Sequence, residues 1–304
     1  MTPSREHLVR ENERKHRNVD RDDGLWMATR PLRRREPWPR WLASLVSVAA
    51  LPVYAVQGMW VRRRVMRLPP AEGPSEGRLG CGPDETATVR LLVVGDSTAA
   101  SVGIEDTAHG LAAQLARLVH EGSGRSVRWR ASGHNSAVAA EVRDHVVPQI
   151  EPRDWTHVFI SIGTNDTKNF HSVNRWKKGF GTLLYALRAR FPAARLYWSE
   201  AVDPREVPGL PAPLAGIMRL RRDLINRKGQ ELCFERGCTS VPPIPDVMPA
   251  GFSIDGFHAS EEGYAHWARA VSAYILADLA DAPERAAPPE RAHEAQRAAP
   301  HAAE

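Results

Sequence analysis

Five residues of this chain have side chains or backbone groups suited to acyl chemistry: Ser97, Gly133, Asn165, Asp255 and His258. Ser97 stands in "LLVVGDSTAASVG", an apolar run that turns abruptly small and polar. A serine hydroxyl is a weak nucleophile at neutral pH and needs a base within hydrogen-bond reach, itself held by a third group. His258 is the candidate base and Asp255 the candidate orienter, because their i, i+3 spacing in "SIDGFHAS" puts both on one side of a tight turn. Acyl transfer also needs donors aimed at the oxyanion. The backbone N–H groups of Ser97 and Gly133 and the side-chain amide of Asn165 are the natural set.

These residues must be carried by elements that bring distant parts of the chain together. The segments "RLLVVG", "SVRWRA", "THVFISIG" and "ARLYWSEA" are strand-length and rich in β-branched and aromatic residues. Residues 106–121, 137–147 and 173–190 have helical spacing, with Leu111, Leu115, Leu118 and Val119 forming one stripe. A Pro-rich loop at 203–213 precedes a helix at about 214–236, a short strand near Thr239 to Val241 and a last helix at about 261–280. Alternating β and α elements with right-handed crossovers predict a three-layer α/β/α sandwich around a central parallel sheet. In such sheets the working site lies beyond the carboxyl ends of the strands. Ser97, Gly133 and Asn165 each follow a strand, and Asp255 and His258 lie in the loop before the final helix. The expected placement of Ser97 at a strand-to-helix turn puts its oxygen near the positive end of a helix. Gly95 lets the backbone turn sharply, and Ala99 and Ala100 leave room for substrate.

Taken singly, each of these residues has a plainer reading. Ser97 is a helix cap, Asn165 a turn residue, Asp255 a cap of the last helix or its approach, and His258 a surface loop histidine. Asp96 and Asp166 read as structural, fixing the loops around Ser97 and Asn165 through backbone N–H groups. His134 reads as a solvated loop histidine, and Trp155, Trp176, Trp198 and Trp267 as packing residues.

Together, Gly95-Asp96-Ser97, Gly133, Gly163-Thr164-Asn165-Asp166 and Asp255-Gly256-Phe257-His258 resemble the four blocks of the SGNH, or GDSL-type, esterase and lipase superfamily, in order. The resemblance covers about residues 90–280. It implies a flavodoxin-like α/β/α fold and metal-free, cofactor-free ester hydrolysis, with Ser97 as nucleophile, His258 as base, Asp255 as its partner, and Ser97, Gly133 and Asn165 as the oxyanion hole. Thr98 stands where the family often has Leu, and Ala259 follows His258 where Pro is common; both bear on pocket shape. No G-x-S-x-G elbow, G-x-G-x-x-G, P-loop lysine or H-E-x-x-H occurs, which disfavours the α/β-hydrolase, dinucleotide, nucleoside-triphosphate and zinc-protease readings.

Charge divides the chain. Residues 1–67 hold 15 Lys and Arg against 7 Asp and Glu, or +8, whereas the whole chain of 304 residues is only +5 and the remainder is therefore mildly acidic. Nucleic-acid chemistry needs the positive field on the working surface, so this distribution argues against it. It fits a head that meets an anionic membrane surface. Trp41 to Val61 form 21 residues without a charge, flanked by arginines on both sides. That length reaches the roughly 20 residues of a spanning helix. Pro52, Ser44, Ser47 and Gln57 interrupt it, and the two-sided arginines remove the asymmetry that sets orientation.

The expected organisation is a flexible charged arm at 1–40, a membrane-anchor or interfacial helix at 41–61, with a helix packed against the domain as the alternative, and a basic, Pro- and Gly-rich linker at 62–88. The hydrolase domain follows at 89–281, and then an Ala- and Pro-rich tail at 282–304 with nothing to build a core. Three cysteines, Cys81, Cys233 and Cys238, indicate neither a disulfide framework nor a zinc site; three unpaired thiols are expected, with Cys233 and Cys238 able to pair in an oxidising compartment. The functional expectation is a membrane-associated serine esterase acting on a small-molecule or lipid ester through an acyl-enzyme on Ser97. Its alternatives are an O-acyltransferase using the same triad and a non-catalytic module holding an anion at a helix N-terminus.

Overall fold

The computed structural model describes residues 39–281, except 65, 84, 245 and 246. The arm at 1–38 and the tail at 282–304 lie outside the described residues.

Six strands form one sheet in the order β1-β3-β2-β4-β5-β6. They are β1 (Glu76–Leu79), β2 (Val89–Gly95), β3 (Val127–Gly133), β4 (His157–Ser161), β5 (Arg195–Ser199) and β6 (Cys238–Val241). Strands β2 to β6 run parallel, and β1 pairs antiparallel with β3, Glu76 opposite Arg130 and Leu79 opposite Val127. The sheet is therefore mixed rather than wholly parallel. Its added strand lies within the stretch read from composition as linker. Glu76–Leu79 has no apolar alternation, which suits a short, polar edge strand and hides it from pattern reading.

The central strands are apolar at successive positions because both of their faces are covered. Leu92, Val94, Val158, Ile160, Leu196 and Trp198 point into one core, and Leu91, Val93, Phe159 and Tyr197 into the other. Helices α3 (Leu111–Ser123) and α8 (Glu261–Asp281) cover the second face. The first face is covered by α6 (Val173–Arg190), α7 (Ala212–Glu235) and the segment beginning with α4 (Ala139–Glu141). That segment continues as a π-helical turn, Val142–Val146, and a 3-10 turn, Val147–Gln149, where one helix over 137–147 was expected. Trp176 stacks on Phe180 at 4.6 Å, both pack on Trp198, and Trp155, Trp176 and Trp198 are all buried, as expected of packing residues.

The apolar stretch at 41–61 is two helices, α1 (Arg40–Ala49) and α2 (Leu51–Arg64), and the pair is bent by 60°. The break falls at Ala50, just before Pro52, a residue that the first turn of a helix tolerates and its interior does not. Among the described residues no single helix is long and apolar enough to cross a membrane. All three cysteines are free, with Cys233 and Cys238 buried.

Candidate active site

Every residue singled out for chemistry lies at or beyond the carboxyl edge of the sheet. Gly95 ends β2, and a Cβ there would fall inside the carbonyl of Ser161 on β4, so only glycine lets the two strands close up as the chain leaves the sheet. Asp96 N–H then donates to Ser161 O at 3.1 Å.

Beyond this point the structure corrects one expectation. Residues 97–103 form a series of hydrogen-bonded turns, Ala100 N–H to Asp96 O, Ser101 N–H to Thr98 O and Val102 N–H to Ser97 O; a short 3-10 turn follows only at Thr107–His109, and no α-helix begins until Leu111. Ser101 and Gly103 have positive φ, 53° and 108°, which a helix does not allow. Ser97 is therefore not at a helix N-terminus, and the anion-binding alternative, which depended on one, loses its basis.

Asp96 is buried beneath this turn. One of its oxygens accepts Thr98 N–H at 3.1 Å and the other lies 3.4 Å from the Asn165 amide nitrogen. Burial pushes its carboxyl up to about 6, against the pull of the Thr98 hydrogen bonds and the Lys168 and His258 charges.

Gly133 ends β3 in register with Gly95. A Cβ at position 133 would lie 2.6 Å from Asp96 O and Ala99 C, so the backbone of the Ser97 turn rests directly on this glycine. Asn165 sits in α5 (Thr164–Lys168), is buried, and donates from its side-chain amide to Ala137 O at 3.0 Å and more weakly to Asp96. Asp166 accepts Ala139 N–H at 3.1 Å and pairs with His171 Nδ1 at 2.9 Å, both side chains being buried. Asp96 thus holds the backbone of the Ser97 turn as expected, whereas the backbone N–H held by the Asp166 side chain is that of Ala139, on the segment after β3 and not in the Asn165 loop. His134 is exposed.

Asp255 and His258 are joined. His258 Nδ1 is 2.6 Å from Asp255 Oδ2, and Asp255 Oδ1 accepts the N–H groups of Phe257 and His258 at 2.9 and 3.0 Å. Burial would raise this carboxyl, but the His258 ring and the two N–H groups outweigh it and hold the group below its ordinary value. A carboxylate so placed fixes the proton on Nδ1 and leaves Nε2 with its lone pair.

The His258 loop is pressed onto the Ser97 turn. A Cβ on Gly103 would be 2.5 Å from Ala259 O and 2.8 Å from His258 Cβ, and Tyr264 on α8 donates its hydroxyl to Val102 O at 2.7 Å. Among the described residues no hydrogen bond joins Ser97 to His258; their loops meet through Gly103 and Tyr264.

Pattern reading missed a second brace. Gly209, in the Pro-rich loop after β5, donates its N–H to Gly256 O at 3.0 Å, and the Phe257 ring lies against its α-carbon. The only cue in the sequence is a glycine among prolines in "EVPGLPAP".

Residues 93–266 match the model of the GDSL-like lipase/acylhydrolase family. No curated protein sequence matches the chain. The solved structures to which the fold is similar include the following three. TesA is 19% identical over 62% of this chain and 99% of its own, with a TM-score of 0.50. The psychrotrophic esterase EstA of Pseudoalteromonas sp. is 14% identical over 63% and 99%, at 0.50. The family 3 carbohydrate esterase of Clostridium thermocellum is 19% identical over 63% and 98%, at 0.50.

Proposed function

Because the chain belongs to the GDSL-like lipase/acylhydrolase family, within the SGNH hydrolase superfamily, and is an ester hydrolase, we propose that it cleaves a carboxylic ester through an acyl-enzyme on Ser97. The observation that carries this reading is the Asp255–His258 pair, built on a loop pressed against the turn that presents Ser97. His258 Nε2 takes the proton of the Ser97 hydroxyl as its oxygen bonds to the ester carbonyl carbon. The carbonyl oxygen becomes an oxyanion facing the N–H groups of Ser97 and Gly133 and the Asn165 amide. The 3.4 Å contact between Asn165 and Asp96 is the weaker of the two that the amide makes, and is the one surrendered to the oxyanion. The alkoxide leaves with the proton held by His258. Water, deprotonated by the same nitrogen, then releases the acid and restores Ser97.

The substrate in this reading is an acyl lipid or an O-acetyl ester, met at an anionic membrane surface through the basic N-terminal head. Support for that location comes from the charge distribution of the chain and the two apolar helices that begin the described residues.

A fluorophosphonate probe tests the nucleophile. Covalent labelling of the full chain that disappears in Ser97→Ala, with ester turnover reduced by roughly 10³-fold or more, supports the mechanism. Labelling or turnover that survives Ser97→Ala overturns it.

A further inference from the structure

Helices α1 and α2 have two opposed faces. On α1, Ala43 and Ser47 are buried against α7, while Trp41, Leu45 and Val48, on the other side, are exposed, Leu45 at 58%. On α2, Tyr54, Gln57, Gly58 and Val61 share the inner, partly buried face, while Val53, Val56 and Met59 look outward, Val56 at 65%. From residue 37 to residue 71 the sequence has five arginines and no carboxylate, and Arg62, Arg63 and Arg67 are exposed beside the apolar face. Exposed apolar side chains on a stretch whose charged residues are all cations complement an anionic bilayer surface.

The inner face is fastened close to the candidate site. Arg221 on α7 is 4% exposed, donates to Ser47 Oγ at 3.1 Å, and lies 4.1 Å over the Phe170 ring. Tyr54 packs on the same ring at 5.0 Å and donates its hydroxyl to Lys168 O. Lys168 and Phe170 follow Asn165 in one short segment, and Phe170 is held at φ 54°. The pair is thus bolted along the domain and does not project from it, which suits a helix pair lying in an interface.

We propose that the outer face of this helix pair docks on an anionic lipid bilayer, and that the Tyr54–Phe170–Arg221 contact holds the site against that surface so that esters within the bilayer are preferred substrates. The second half rests on the esterase reading above; the first does not.

The full-length Ser97→Ala protein is mixed with vesicles of phosphatidylcholine, with and without phosphatidylglycerol, and sedimented. The expected result is binding at least roughly tenfold tighter to the anionic vesicles, lost in Leu45→Glu/Val56→Glu and weakened by salt. Equal binding by that double variant, absence of binding, or self-association through this face in place of binding would overturn the docking. With Ser97 intact, two esters are compared: a long-chain p-nitrophenyl ester carried in anionic vesicles and p-nitrophenyl acetate in solution. Leu45→Glu/Val56→Glu and Tyr54→Ala are both expected to lower the vesicle rate by about tenfold relative to the soluble rate. Tyr54→Ala should still bind vesicles. Loss of both rates in parallel, or no change in either, overturns the positioning role of the clamp. A vesicle ester that the wild-type enzyme does not cleave overturns the lipid substrate while leaving the docking result standing.

Discussion

The imidazole Nδ1 of His258 lies 2.6 Å from Oδ2 of Asp255, and the other oxygen of that carboxylate holds two backbone N–H groups of the same turn. One side chain therefore sets both the shape of the loop and the proton position on the ring.

Asp255→Asn keeps an acceptor for the turn but offers the ring an amide hydrogen in place of a carboxylate oxygen. Turnover of p-nitrophenyl acetate is expected to fall by roughly 10²–10⁴-fold with little change in melting temperature. A variant as active as wild type would show that the pair is only a loop brace.

Asn165→Ala removes a side-chain donor from the carboxyl edge of β4. The expected loss in kcat is about 10²–10³-fold, larger than any rise in KM, measured with the same ester. A change confined to KM would place Asn165 in substrate binding instead.

Asp96 supplies a pH signature. Burial pushes its carboxyl up to about 6 in the folded state, from an ordinary value of 3.8, so between these values the folded protein binds more protons than the unfolded chain. Stability from this group therefore increases as pH falls from about 7 toward 4, on the order of 2 kcal/mol. Asp255, held below its ordinary value, acts in the opposite sense and its contribution is lost only as pH falls through its folded-state pKa. Denaturation of wild type and Asp96→Asn at several pH values should show the upper rise in the first and not in the second.

Gly209→Val places carbon where the Phe257 ring now sits, since even a Cβ there would be 2.6 Å from Phe257 Cδ2. The ring must move and take the His258 loop with it. Activity should drop by tenfold or more, with a stability loss of about 1–3 kcal/mol. Phe257→Leu in the same chain should restore part of both, which a defect unrelated to this contact would not show.

The layered α/β architecture was legible because strands buried on both faces read as unbroken apolar runs and α6, a helix of 18 residues, carries a stripe of apolar residues at helical spacing. The candidate site residues could be singled out in the sequence because acyl chemistry demands particular groups after particular strands. What escaped had no such pattern. Strand β1 is four residues at a polar edge, and the turns at 97–103 are imposed by packing of Gly103 and Gly133 against neighbouring backbone. The split of residues 41–61 was signalled by Pro52, but the docking of its inner face depends on Arg221 and Phe170, more than a hundred residues away.

The stretch between α2 and β1 is pinned at both ends. Behind it stands Tyr54 on Lys168, beside the Asn165 helix; ahead of it Glu72 exchanges backbone hydrogen bonds with Glu105 and Thr107, on the segment that leaves the Ser97 turn. Residues read as a spacer thus act as a yoke between the two halves of the candidate site. A few extra glycines inserted near Pro69 would slacken that harness without touching either half, leaving the two joined only by contacts at the sheet edge such as that of Asn165 with Asp96.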